Sequence, residues 1–112
     1  MAKGFIPDPL KRRHLLEEAL DPARAGAIAE AYLAVDRTVE AVAFLEKAGN
    51  RERLQALWDR ALEEGDLFLL RSASAALGEE PSAEHWNRLA EAAEASGKAR
   101  YAVEARRQAQ RS

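Results

Sequence analysis

Apolar residues recur along this chain at the spacing of helices. The segment over residues 22–34 has one apolar face at i, i+3, i+4, i+7 and i+8, made of Ala25, Ile28, Ala29, Tyr32 and Leu33. The segments over about residues 51–64 and 83–96 show a similar spacing. β-Branched residues are few, and no useful length of sequence alternates between apolar and polar positions as a strand would. The pattern therefore predicts an all-α chain.

Residues that favour helix ends separate these apolar segments. Six residues suited to the N-cap precede predicted helices, namely Asp8, Asp21, Asp36, Asn50, Asp66 and Ser82. Four glycines stand where a left-handed C-cap is expected, namely Gly49, Gly65, Gly78 and Gly97. The predicted antiparallel helices cover about residues 9–19, 22–34, 37–48, 51–64, 67–77, 83–96 and 98–110.

The apolar residues of these helices predict the core. The first helix offers only a thin stripe of Leu16, Ala19 and Leu20, whereas the third is apolar on nearly every side. Phe68 is assigned to the core of the fifth helix, and both tryptophans, Trp58 and Trp86, are assigned to buried faces. The seventh helix contributes residues such as Val103, with little bulk. We expect a flexible tail over residues 1–8 and a single helical domain over residues 9–112.

Composition adds limits on the class of protein. The chain has 112 residues, 47% of them hydrophobic, and no cysteine. That length and hydrophobicity suffice for one core without metal or disulfide support. The sequence shows neither a signal peptide nor an apolar run of the ~20 residues that span a bilayer. We therefore expect a soluble protein with no membrane association, and a cytoplasmic location fits the missing cysteines.

Charge is unevenly distributed, although the net charge is only −2. Residues 1–16 carry +3 and residues 98–112 carry +4, so the segment between them carries −9. Basic ends and an acidic middle favour weak contact between copies, which salt would screen. We expect a monomer or a weak, salt-sensitive dimer.

Two segments that lie 61 residues apart carry matching residues: Ile28 matches Leu89, Ala29 matches Ala90, Ala41 matches Ala102, and Ala48 matches Ala109. Small residues are needed where two helices approach closely. In these positions the chain resembles the tetratricopeptide repeat, which pairs two antiparallel helices around a large-small pair and spaced alanines. The resemblance covers residues 22–49 and 83–109. It implies a short right-handed α-solenoid whose groove binds a peptide or a partner helix.

Residues that would face this groove are the candidates for binding a partner. Carried over position by position, the resemblance places ten residues at the groove: Ala23, Gly26, Glu30, Leu33, Ala34, Glu84, Asn87, Glu91, Glu94 and Ala95. The binding candidates chosen from these are Glu30, Leu33, Asn87, Glu91 and Glu94. The carboxylate clamp of chaperone-binding members needs Lys and Asn at the groove positions, and only Asn87 agrees. An acidic groove instead favours a basic or neutral ligand. The functional hypothesis is a non-catalytic adaptor or scaffold that binds another protein.

Other chemistry finds less support in the sequence. The two histidines, His14 and His85, are isolated, and no nucleophile elbow or phosphate-binding loop is present. We therefore expect no enzyme activity, no metal and no cofactor. An alternative is a nucleic-acid-binding accessory protein that uses basic terminal helices through Lys11, Arg12, Arg13, Arg106 and Arg107. Net acidity disfavours it, and a purely structural or self-assembling helical domain is a further alternative.

Overall fold

The computed structural model describes residues 6–112 and is all-helical there, with no strand. Its seven helices are α1 Pro9–Glu17, α2 Pro22–Ala34, α3 Thr38–Ala48, α4 Arg51–Glu64, α5 Leu67–Leu77, α6 Ala83–Ala95 and α7 Ala99–Arg111. The predicted bounds agree with these within two residues, which confirms the all-α fold class. Most of the predicted tail, residues 1–5, lies outside the described residues.

Side-chain caps start five of the helices where the sequence predicts them. In each case the cap oxygen accepts a hydrogen bond from the backbone N–H three residues on, at 2.8–3.2 Å, and the caps are Asp8, Asp21, Asn50, Asp66 and Ser82. The predicted cap Asp36 is wrong, because α3 begins after Arg37 and has no side-chain cap. Asp36 instead takes the left-handed conformation, with φ at 60°, and ends the preceding helix.

Five helices end in the same hydrogen-bonded turn. After each left-handed residue, the next backbone N–H donates to a carbonyl five residues back at 2.7–3.1 Å, the bond of a Schellman motif. The left-handed residues are Asp36, Gly49, Gly65, Gly78 and Gly97. The four predicted glycine C-caps are therefore confirmed. Two lysines also bond carbonyls at helix ends. The Lys47 ammonium donates to the Glu18 carbonyl at 2.8 Å, and the Lys98 ammonium donates to the Glu64 carbonyl at 3.0 Å.

Packing within the chain divides it into two compact units, one ending at Leu54 and the other covering Gln55–Ser112. In the first unit α2 packs against α3, and α1 contacts α3. Its core includes Tyr32 and Phe44, whose rings stack with centroids 5.7 Å apart. The hydroxyl of Tyr32 is buried without a hydrogen-bond partner among the described residues. A single domain over residues 9–112 stays a prediction.

In the second unit α6 packs against α7 through small residues. Ala90 and Ala93 of α6 and Ala102 and Ala105 of α7 are all at most 1% exposed. Both tryptophans are 5% exposed, so their predicted burial is confirmed. The core assignments of two other residues are wrong, because Phe68 is 53% and Val103 is 51% exposed. The Phe68 ring instead meets the Tyr101 ring edge-on, with centroids 5.5 Å apart.

The α2–α3 and α6–α7 turns have the same backbone geometry. Asp36 and Gly97 are both left-handed, and the residues after them, Arg37 and Lys98, have φ and ψ of −99° and 69° and of −96° and 66°. The closing bonds also correspond, since Arg37 donates to the Tyr32 carbonyl and Lys98 to the Ala93 carbonyl. The two helix pairs are thus closed by equivalent turns 61 residues apart.

Candidate binding residues on α6 and α2

Helix α6 carries three of the five predicted binding residues. Asn87, Glu91 and Glu94 are all exposed, and Glu84 is exposed one turn earlier. These positions lie on the face opposite the buried residues of the helix, such as Leu89. We call Glu84, Asn87 and Glu91 the α6 stripe. The side chains of the α6 stripe make no hydrogen bond or ion pair with any other described residue.

A capping box fixes the start of the helix that carries the α6 stripe. The backbone N–H of His85 donates to the Ser82 hydroxyl at 3.2 Å, and the Ser82 N–H donates to Nδ1 of His85 at 3.0 Å. The buried face of α6, including Trp86 and Leu89, then holds the helix against its neighbours. The His85 ring also meets the Trp58 ring edge-on at 5.3 Å. The α6 stripe is therefore presented by a well-anchored helix.

Glu94 is held by an ion pair at the end of α6. Both of its carboxylate oxygens accept from Arg106, at 2.9 and 3.2 Å. This hydrogen bonding and the charge of Arg106 lower the pKa of Glu94, and the pKa of Arg106 is raised in turn. The charge of Glu91 also favours the cationic form of Arg106. Glu94 can therefore bind a partner only if it shares Arg106 with that partner or breaks its ion pair with Arg106.

The two predicted binding residues of the first unit lie on α2. Glu30 accepts two hydrogen bonds from Arg53, at 2.9 and 3.0 Å, and this pairing raises the pKa of Arg53. Leu33 is half-buried and lies close to Glu30 in the sequence. Both acidic candidates with an arginine partner, Glu30 and Glu94, therefore have part of their charge neutralised within the fold.

The basic residues of the alternative hypothesis are also largely paired. Arg13 bonds Glu17 at 3.3 Å, Arg107 lies 3.6 Å from Glu104, and Arg106 is bound to Glu94 as described above. Lys11 and Arg12 remain without a side-chain hydrogen bond or ion pair in residues 6–112. Ion pairing reduces the positive charge that the terminal helices present to a phosphate backbone.

Metal sites and membrane spans are two further features that could indicate a function. Within residues 6–112, no group of three or more His or acidic residues is arranged to hold a metal ion. No helix in that part of the chain has both the length and the apolar character needed to cross a bilayer.

Comparison with known proteins supplies no relative from which an activity could be transferred. No protein-family model matches the chain, and neither does any curated protein or solved structure.

Proposed function

We propose that this chain is a non-catalytic interaction module that binds a basic or neutral segment of another protein along the α6 stripe. The observation that carries the proposal is the α6 stripe itself. Its polar side chains lie exposed on one anchored helical face and make no hydrogen bond or ion pair among the described residues, and Glu91 interacts with Arg106 through its charge alone. Two carboxylates on such a face attract a cationic segment and set its register.

The proposal includes the arrangement of the helices as a short right-handed solenoid, similar to tetratricopeptide repeats. Two observations support it. The α2–α3 and α6–α7 turns share one geometry, and small residues line the contact between the paired helices: Ala29 and Ala41 in one pair, and Ala90 and Ala102 in the other, are at most 1% exposed. In such solenoids the first helix of each pair lines the binding groove, which is the role we assign to α6.

Nucleic-acid binding is the competing proposal. It depends on Lys11 and Arg12, since the three other basic candidates are paired with carboxylates. A gel shift against mixed RNA and DNA at two salt concentrations separates the two proposals, because phosphate contacts weaken steeply with salt. Retarded bands that disappear at the higher salt would favour nucleic acid over protein as the ligand.

The test of the proposal is affinity capture with three forms of the protein. Wild type is compared with Glu84→Lys/Glu91→Lys, which reverses both charges of the α6 stripe. The matched control, Glu52→Lys/Glu63→Lys, makes the same change of charge at exposed positions of α4. We expect mass spectrometry to identify a partner that wild type and the control retain and the stripe variant loses. Equal recovery by all three forms, or no partner of wild type, would contradict the proposal.

A further inference from the structure

A cleft of about 450 Å³ opens in the second unit, lined by α5, α6, α7 and the loop between α5 and α6. Its walls include Arg71 of α5, Glu80 and Pro81 of the loop, Trp86 of α6 and Gln108 of α7. The volume lies within the ~300–1,000 Å³ that ligand sites occupy. The sequence pattern did not reveal this cleft, because its lining residues come from four separate segments.

One wall of the cleft is held by a hydrogen-bonded cluster around Glu104. Its Oε2 atom accepts from Gln108 Nε2 at 2.9 Å and from Arg71 at 3.3 Å. The bond from Gln108, together with the charges of Arg71, Arg107 and Arg111, lowers the pKa of Glu104 and keeps it ionised. Arg71 shares the single negative charge of Glu104 with Arg107. Because Gln108 donates through Nε2, its Oε1 atom remains as an acceptor.

Two further groups in the cleft lack a partner within the fold. The side chain of Trp86 is 5% exposed, yet its indole N–H makes no hydrogen bond to any described residue. The carboxylate of Glu80, in the loop, likewise has no hydrogen bond or ion pair within residues 6–112. The indole N–H is open to solvent, so an acceptor on a ligand takes the place of water there.

We propose that this cleft binds an arginine residue of a peptide segment. The guanidinium is a planar donor that serves two separated acceptors, here the Glu80 carboxylate and Oε1 of Gln108. The indole N–H of Trp86 donates to a backbone carbonyl of the same segment. A lysine has fewer donors and no planar fork, so it binds more weakly, and a glutamate meets the Glu80 carboxylate with the same charge. This site shares no residue with the α6 stripe.

The probes are three tripeptide amides, acetyl-Gly-Arg-Gly, acetyl-Gly-Lys-Gly and acetyl-Gly-Glu-Gly. Binding is followed by ¹H–¹⁵N NMR at the two indole N–H signals, which Trp58→Phe assigns. We expect the arginine peptide to shift the Trp86 signal in a saturable way, the lysine peptide to bind several-fold more weakly, and the glutamate peptide to cause no shift. The Trp58 signal should stay in place.

Two variants complete the test. Glu80→Gln should lower the affinity for the arginine peptide by about fivefold or more. Glu63→Gln, a change at an exposed position of α4, should leave that affinity unchanged. Equal shifts with the arginine and glutamate peptides, a shift confined to Trp58, or unchanged binding in Glu80→Gln would overturn the proposal. Glu84→Lys/Glu91→Lys should still bind the arginine peptide, so a failure of the α6 stripe and a failure of the cleft are distinguishable.

Discussion

Gly65 lies directly against the backbone of Ala93. A Cβ atom on Gly65 would stand 2.5 Å from the Ala93 Cα and 2.9 Å from the carbonyl carbon of Ala92. The residue also has a φ of +69°, where side chains other than that of glycine are strained. The turn between α4 and α5 therefore packs directly against α6, the helix that carries the α6 stripe. Only glycine at position 65 allows the two backbones to approach this closely.

Gly65→Ala should destabilise the protein strongly. Left-handed strain costs about 1–2 kcal/mol and the overlap with α6 a further 1–3 kcal/mol, so we expect a loss of roughly 3 kcal/mol in the free energy of unfolding. The matched control is Gly78→Ala, which has a φ of +70° and no atom within 4 Å of the added Cβ. In Gly78→Ala, urea unfolding should show only the loss of stability that comes from backbone strain. Equal losses in the free energy of unfolding for the two variants would mean that Gly65 does not contact α6 closely.

The buried alanines at the helix contacts should not tolerate bulk. Ala41 and Ala90 are fully buried, so Ala41→Leu and Ala90→Leu should each lower the free energy of unfolding by ~1–3 kcal/mol through overpacking. Ala56→Leu on the exposed face of α4 is the control and should change it by less than ~0.5 kcal/mol. Chemical denaturation measures all three, and unchanged midpoints at both buried sites would contradict the close helix contacts.

Tyr32→Phe should stabilise the protein. The Tyr32 hydroxyl is buried without a partner among the described residues, while the ring keeps its stacking on Phe44 and its contact with the Arg37 guanidinium after the change. Removing an unsatisfied hydroxyl should raise the free energy of unfolding by about 1 kcal/mol. Tyr101→Phe, at a half-buried position, is the control and should have little effect. A loss of stability in Tyr32→Phe would indicate that the hydroxyl has a hydrogen-bond partner.

The ion pair of Glu94 predicts a pH dependence with a definite sign. The hydrogen bonds from Arg106 lower the pKa of Glu94 below its ordinary value of 4.5, so the pair stabilises the fold above that value. The stabilisation is lost as the pH falls through the lowered pKa of the folded state. Carboxyl ¹³C NMR should find the pKa of Glu94 below its ordinary value, and Arg106→Gln should return it to that value. An unchanged Glu94 titration in Arg106→Gln would contradict the pairing.

Local sequence signals were sufficient for the helices but not for every exposed face. Capping side chains and glycines act within a few residues, so they placed the helix ends within two residues, but Asp36 is not the predicted N-cap. That position follows the geometry of Gly97, which shows that the turn and not the residue type determined the conformation. Of the stripe predicted for α1, Leu20 is buried and Leu16 half-buried, but Ala19 is exposed because α1 ends at Glu17. Leu15 is the buried residue within the helix. Phe68 is exposed because its burial depends on neighbouring helices, which periodicity does not reveal.

The candidate site was predictable only as a row of exposed polar positions. The resemblance to tetratricopeptide repeats predicted one face of α6 for Asn87, Glu91 and Glu94, and all three are exposed in the structure. Their electrostatics could not be predicted, because Arg106 lies on a different helix from Glu94, just as Arg53 lies on a different helix from Glu30. Long-range pairs of this kind follow from how helices pack, which local sequence spacing does not encode.

The central claim is that the α6 stripe binds a basic or neutral partner, and its most direct test is the dissociation constant of the captured partner. Titration calorimetry with the purified partner compares wild type, Glu84→Lys/Glu91→Lys and the control Glu52→Lys/Glu63→Lys. We predict that the stripe variant binds at least about tenfold more weakly, a difference of about 1.4 kcal/mol, while the control stays within about twofold of wild type. Equal affinity for wild type and the stripe variant would contradict the claim.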